Sequence, residues 1–261
     1  MRFYKFIIFF LLLFFVGSTD VFSCACSGKT SVQVAACTSS DYGNSTCTTS
    51  ADQYSMTVTS GEFYNSSTGA KWVLKSSSAT YDIATQNFDY IPQITTIQPG
   101  TYNQFRGYAD NVFTVKGGFT TTDSKACVTA GTMDSTYGDF RDTAIRTAGN
   151  KTSGTLTTKN FGASTWHYTD ANSNLVELID SSGNRISDDD DADRIRVTYT
   201  LPSTLTIEET DKINVKMFLK PTTSIRATYA TSDGAGKYNC TSIGMRGPIF
   251  TMTVTQTKMG Q

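Results

Sequence analysis

Short runs in which apolar and polar residues alternate recur along this chain, each closed by Gly, Asn, Asp or Ser, and no stretch carries a three-turn amphipathic pattern. Alternation with a period of two is the signature of half-buried strands, and frequent turn residues between runs are the signature of antiparallel sheets. Tyr54, Met56 and Val58 fall on one face, as do Ile195, Val197, Tyr199 and Leu201. Near the C-terminus Phe250, Met252 and Val254 alternate, with Ile249 offset. Without helices between the strands, a parallel α/β architecture is not expected. The expected fold is all-β, an antiparallel β-sandwich. Charged residues make up only 17% of the chain, and Thr, Ser, Asn and Gln supply its polarity instead.

The first 23 residues read as a cleaved signal peptide. Arg2 and Lys5 precede an apolar run from Phe6 to Val16, and Val21 and Ser23 suit a cleavage site before Cys24. That run falls short of the about 20 apolar residues a bilayer span needs. The mature chain is therefore expected outside the cytoplasm, secreted or at the cell surface, with no membrane span. A net charge of −1 gives no electrostatic attraction to nucleic acid.

Six cysteines remain after such cleavage, an even number in an oxidising compartment, and six permit 15 pairings. The expected pairs are Cys37–Cys47, closing a local loop, and Cys127–Cys240, tying the middle of the chain to its C-terminal region. Cys24 has a second reading, because Val21–Cys24 loosely resembles a bacterial lipobox, although Phe22 is bulky and lipidation leaves an odd number of thiols. No C-x₂-C pair and only one histidine argue against zinc.

The organisation follows from these signals. Residues 24–50 form an N-terminal Cys-rich segment, and the alternation of Val32, Val34 and Ala36 predicts a strand there that another molecule can accept; the C-terminal strand Phe250–Thr255 is the other candidate donor. Residues 51–261 form a single elaborated β-sandwich, with an insertion or added edge over about 129–193, where the periodicity is weak. Asp139 to Arg146 predicts a short helical turn, and Asn174 to Asp180 a strand ending in the turn Ser181–Asn184.

From Tyr54 to Lys116 the parts follow a recognisable order: a strand, a turn, Lys71–Leu74, Thr80–Ala84, then Ile97 to Arg106 with the turn Pro99-Gly100 before Thr101 and Tyr102. This order resembles the secreted DUF4382-like domains, which look like transthyretin-type or carboxypeptidase-regulatory-type sandwiches. The resemblance covers about a quarter of the chain, implies a location at the cell surface or envelope, and assigns no active site; with the cysteine count, the expected fold is a disulfide-stabilised Ig- or transthyretin-like sandwich.

Candidate chemistry is sparse. His167, between Trp166 and Tyr168, has no nucleophile motif beside it and reads as part of a strand. The acidic run with Asp188, Asp190 and Asp193 has the oxygen ligands that Ca²⁺ takes, without the spacing of an EF-hand, and a solvated acidic turn explains it as well. Trp72 and Trp166 offer flat faces on which a glycan stacks, or core-filling rings. Glu208 and Glu209 are not spaced as a glycosidase pair. Asn44, Asn65, Asn150 and Asn239 each head a glycosylation sequon. The expected function is therefore non-enzymatic and without a cofactor other than Ca²⁺: a structural or adhesive protein of the cell exterior that self-associates, or meets another surface protein, by β-strand addition, as in a fibre. The alternative is a secreted module that binds a glycan or Ca²⁺.

Overall fold

A computed structural model describes residues 24–38, 44–75, 78–84, 97–134, 138–157, 167–170, 172–186, 192–220, 223–247 and 249–258. After a one-turn helix, α1 (Ser31–Ala35), come β1 (Thr46–Thr49), β2 (Ala51–Tyr64), β3 (Lys71–Lys75), β4 (Ala79–Asp82) and β5 (Gly100–Thr120). The middle of the chain gives β6 (Ala126–Val128), β7 (Met133–Asp134), β8 (Asp139–Phe140), a 3₁₀ turn (Thr143–Arg146), β9 (Gly154–Thr157), β10 (His167–Thr169) and β11 (Leu175–Ile179). Five longer strands complete it: β12 (Arg194–Ile207), β13 (Lys212–Lys220), β14 (Ile225–Ser232), β15 (Tyr238–Met245) and β16 (Ile249–Thr257). All named strand pairings are antiparallel, as in the sandwich expected from the alternation.

The long pair β2 and β5 is the base of the fold. Strand β5 runs for 21 residues, and the odd positions from Phe105 to Gly117 are all buried while the even ones face partly outward. Its first half pairs with β12, and β11 and β10 follow outward; its second half pairs with β9, and its end with β6. The opposing layer is in two pieces. A five-stranded sheet, β1-β14-β15-β8-β7, lies over the second half of β5, where Gly117 leaves room for Ile225 and Gly154 for the Phe140 ring. The two-stranded β13–β16 ribbon lies over the first half, with Met217 against Gly107. Phe63, Trp72, Tyr102 and Phe105 pack as one aromatic cluster within the large sheet.

The N-terminal segment departs from the expected strand. Thr30 and Gln33 form a reciprocal capping box, and residues 31–35 turn helical. Val34 is then fully buried whereas Val32 is 45% exposed. The segment folds onto its own chain: Asp123 accepts hydrogen bonds from the Ser31 amide at 2.8 Å and the Ser31 hydroxyl at 2.6 Å.

The cysteine pairing is corrected accordingly. Residues 24–26 run parallel to β1, with the Cys26 amide donating to Thr48 O and the Thr48 amide to Cys24 O. This sets Cys26 beside Cys47, with Cα atoms 5.0 Å apart, while the end of α1 brings Cys37 to Cys24. Cys37–Cys47 is therefore replaced by Cys24–Cys37 and Cys26–Cys47, and Cys127 is joined to Cys240. The Cys24 sulfur lies in a disulfide and is not available for a lipid thioether. Three disulfides belong to an oxidising compartment.

Two outcomes follow from these anchors. The Cys127–Cys240 bridge closes a sequence separation of 113 residues, so replacing both cysteines by Ala lowers stability by about 4–5 kcal/mol in the chain-entropy view, read from denaturant titrations. Burial alone would raise the Asp123 carboxyl, but hydrogen bonds from Ser31 and Thr121 outweigh it and hold it down at about 2. A depressed carboxyl stabilises the fold above its unfolded value of about 3.9 and ceases to as pH falls through the folded one. Amide exchange at Ser31 therefore rises between about pH 4 and pH 2, and Asp123→Asn removes that step.

Candidate functional site

Strands β13 and β16 pair over nine residue positions and form a sheet of two, so each has an outer edge. Ile213, Val215 and Met217 of β13 and Phe250 and Met252 of β16 turn their side chains into the core. The two edges differ in chemistry. β13 carries Lys212, Lys216 and Lys220, the residue type that keeps strand edges from pairing with neighbours. β16 has no charged residue from Ile249 to Thr257.

Hydrogen bonds at Phe250 fix which backbone groups of β16 face outward. Its amide donates to Asp170 Oδ2 at 2.9 Å, and its carbonyl accepts from Asn172 Nδ2 at 2.7 Å and Asn174 Nδ2 at 2.9 Å. Asp170, Asn172 and Asn174 thus cover the β16 edge at this residue. Strand periodicity points the amides and carbonyls of Met252 and Val254 the same way, and no hydrogen bond from the described residues reaches them on that side. Among the described residues the stretch Thr251–Thr255 is an open edge, closed at one end by Asp170, Asn172 and Asn174. At the other end Gln256 donates to Thr206 O and to Asp211 Oδ2.

The outer face of the large sheet carries a second polar arrangement. Cross-strand register sets Glu177, Arg196 and Tyr108 in one row and Thr198, Arg106 and Glu62 in the next. Arg196 donates to Glu177 from Nε at 3.0 Å and from Nη2 at 2.9 Å. The Tyr108 hydroxyl donates to Glu62 at 2.7 Å, and the Arg106 guanidinium lies 3.3 Å above the Tyr64 ring. Glu62 and Glu177 are only 7% and 6% exposed, so their partners offset a desolvation cost that an unpaired carboxylate could not meet. Burial, and then the hydrogen bond to Glu62, push the Tyr108 hydroxyl up to about 12. These groups bond to one another across neighbouring strands and brace the sheet.

The residues singled out from the sequence are scattered. Asp188 and Asp190 lie outside the described residues; Asp193 is exposed and its amide donates to Ile179 O. Among the described residues no group of three or more His, Cys, Asp or Glu is placed to hold a metal. Trp72 is 4% exposed and stacks on Phe63, so it fills the core and offers no platform to a sugar; Trp166 lies outside the described residues. His167 sits opposite Glu177 in the β10–β11 register. The Asn65 amide nitrogen donates to Thr101 O and caps the turn that follows β2, whereas Asn150 is exposed. No described helix is long and apolar enough to cross a membrane. The sequence points to Phe250–Thr255 as a strand for addition, but its pairing with β13 is not legible there because two strands intervene between β13 and β16.

Comparison with family models, with curated proteins and with solved structures found no match.

The outer-face brace gives a direct expectation. Arg196→Ala leaves Glu177 buried without its partner and costs about 3 kcal/mol, measured by denaturant unfolding. Tyr108→Phe removes the phenol whose ionisation, followed by absorbance, begins only toward about pH 12.

Proposed function

We propose that this chain is an exported, non-enzymatic structural or adhesive protein of the cell exterior that acts by strand addition at its β16 edge. The observation that carries this reading is the charge-free run Ile249–Thr257, whose outward backbone groups at Met252 and Val254 have no partner among the described residues. An added strand gains backbone hydrogen bonds there and meets no like charge. The strand comes from a second copy or from another cell-surface protein. Disulfides and a sparsely charged, Thr-rich surface suit long-lived contacts outside the cell. The N-terminal segment is a poor donor, because α1 and the Cys24–Cys37 and Cys26–Cys47 bridges hold it on its own chain.

Val254→Pro tests the reading cleanly. It deletes an outward amide while leaving the β13 pairing in place, since that amide points away from β13. Thr253→Lys places a charge on the exposed face of the same edge. Sedimentation over a concentration series, with negative-stain imaging, is expected to show association of the wild type that both variants lose while keeping wild-type circular dichroism. A wild-type chain that stays monomeric, and that cross-links to no surface protein of its own cells through a photoreactive side chain at Thr255, counts against it.

A further inference from the structure

Lys125, Asp233 and Asn239 meet at the end of the molecule that holds the Cys127–Cys240 bridge, and no ion-pair role uses all three. Lys125 Nζ lies 3.1 Å from Asn239 Oδ1 and 2.7 Å from Asp233 Oδ2. We propose that Lys125 and Asn239 become joined by an intramolecular isopeptide bond, formed by the chain itself with Asp233 as the proton carrier.

Each member is held in place by its own surroundings. The Lys125 amide donates to Thr121 Oγ1, and its carbonyl accepts from the Thr121 amide and hydroxyl and from the Tyr229 hydroxyl. Asn239 is fixed in β15 opposite Thr231 of β14. Asp233 sits in the turn between those strands, where Oδ1 accepts the amides of Ala235 and Lys237 and so leaves Oδ2 to Lys125. The Cys127–Cys240 bridge, with Cα atoms 5.4 Å apart, lies two residues beyond the lysine and one beyond the asparagine. It locks the two backbones at the separation the amine and the carboxamide need. Holding reacting groups in contact in this way replaces a collision with an effectively unimolecular step. The Lys125 and Asp233 side chains are 24% and 16% exposed, so both are only partly screened from water.

The chemistry balances without a co-reactant. The Lys125 ammonium gives a proton to the Asp233 carboxylate, and the neutral Nζ attacks Asn239 Cγ. Nδ2 takes that proton from Asp233, the Nζ of the tetrahedral adduct gives its second proton to the freed carboxylate, and the carbon expels Nδ2 as ammonia, which carries the second proton away as ammonium. One C–N bond forms, one breaks, and nothing is oxidised or reduced. Hydrogen bonding to Lys125 holds the Asp233 carboxyl down at about 2, so the ion pair is the resting state and the reaction passes through its rare neutral form, which makes it slow. The bond consumes the Asn239 nitrogen, so this sequon carries no glycan once it has formed. The inference does not depend on pairing at the β16 edge.

Mass spectrometry of the full oxidised chain, reduced and denatured only for measurement, decides the matter. The expected mass is about 17 Da below that of its residues, the loss of one ammonia, with the Lys125 and Asn239 peptides still linked after reduction. Lys125→Arg, which keeps a cation opposite Asp233, restores the unmodified mass, and Asn239→Asp gives a loss of about 18 Da, one water, in place of ammonia. Asp233→Asn slows formation, and raising the pH of freshly folded protein speeds it. Recovery of separate, unmodified Lys125 and Asn239 peptides from the folded wild type overturns the proposal and leaves the three groups as an ion pair with a hydrogen-bonded neighbour.

Discussion

The antiparallel pairing of β2 with β5 is the contact on which both halves of the molecule depend. It runs from Ala51 opposite Gly117 to Tyr64 opposite Gln104. A strand of 21 residues spans more than one sandwich needs, so β5 serves two opposing layers in succession, first the β13–β16 ribbon and then the five-stranded sheet. Register shifts between Met56 and Ser60 absorb the twist that so long a pair accumulates. Loss of that pairing would separate Phe63 and Phe105 from each other at one end and Tyr54 from Phe113 at the other. Hydrophobic burial on the inner face then holds what the ladder sets out, with the odd positions of β5 forming a continuous strip.

Polar groups are placed where they fasten pieces that the ladder does not. Asp123 ties α1 to the turn after β5, Asp170 ties the turn after β10 to β16, and Asp139 is buried beside Arg141 and near Arg226. A chain with few charges has thus spent several of them on internal anchors. That leaves a surface poor in charge, and the β16 edge has neither a lysine nor a carboxylate to repel a neighbour. A covalent Lys125–Asn239 link and the disulfide next to it would make the same end of the molecule resistant both to force and to reduction.

Much of the strand inventory is legible in the residues, because burial of one face enforces a period of two. Tyr54, Met56 and Val58 are all buried, as are Ile195, Val197 and Leu201. The continuity of β5 is less legible: Gly107, Asp110 and Asn111 look like turn residues, yet Gly107 packs under Met217 and Asn111 donates to Ala192 O. The helix at 31–35 is disguised by two valines in alternation, although Thr30 and Gln33 already have the spacing of a capping box. Local sequence also favoured Cys37–Cys47, the shortest loop among the later cysteines, whereas the parallel run of residues 24–26 beside β1 decides the partners.

The sequence by itself determined that this chain is made of antiparallel strands, because periodicity and turn chemistry are local properties that each segment carries alone. The even number of cysteines also led to an expectation of paired oxidation, and the structure joins all six in three disulfides. Only the tertiary structure decided which strand edge stays open and which lysine meets which asparagine. Both are set by contacts between residues far apart along the chain, 114 positions in the case of Lys125 and Asn239. No local pattern records such a meeting; the register of the sheets, fixed by packing of the whole core, brings it about.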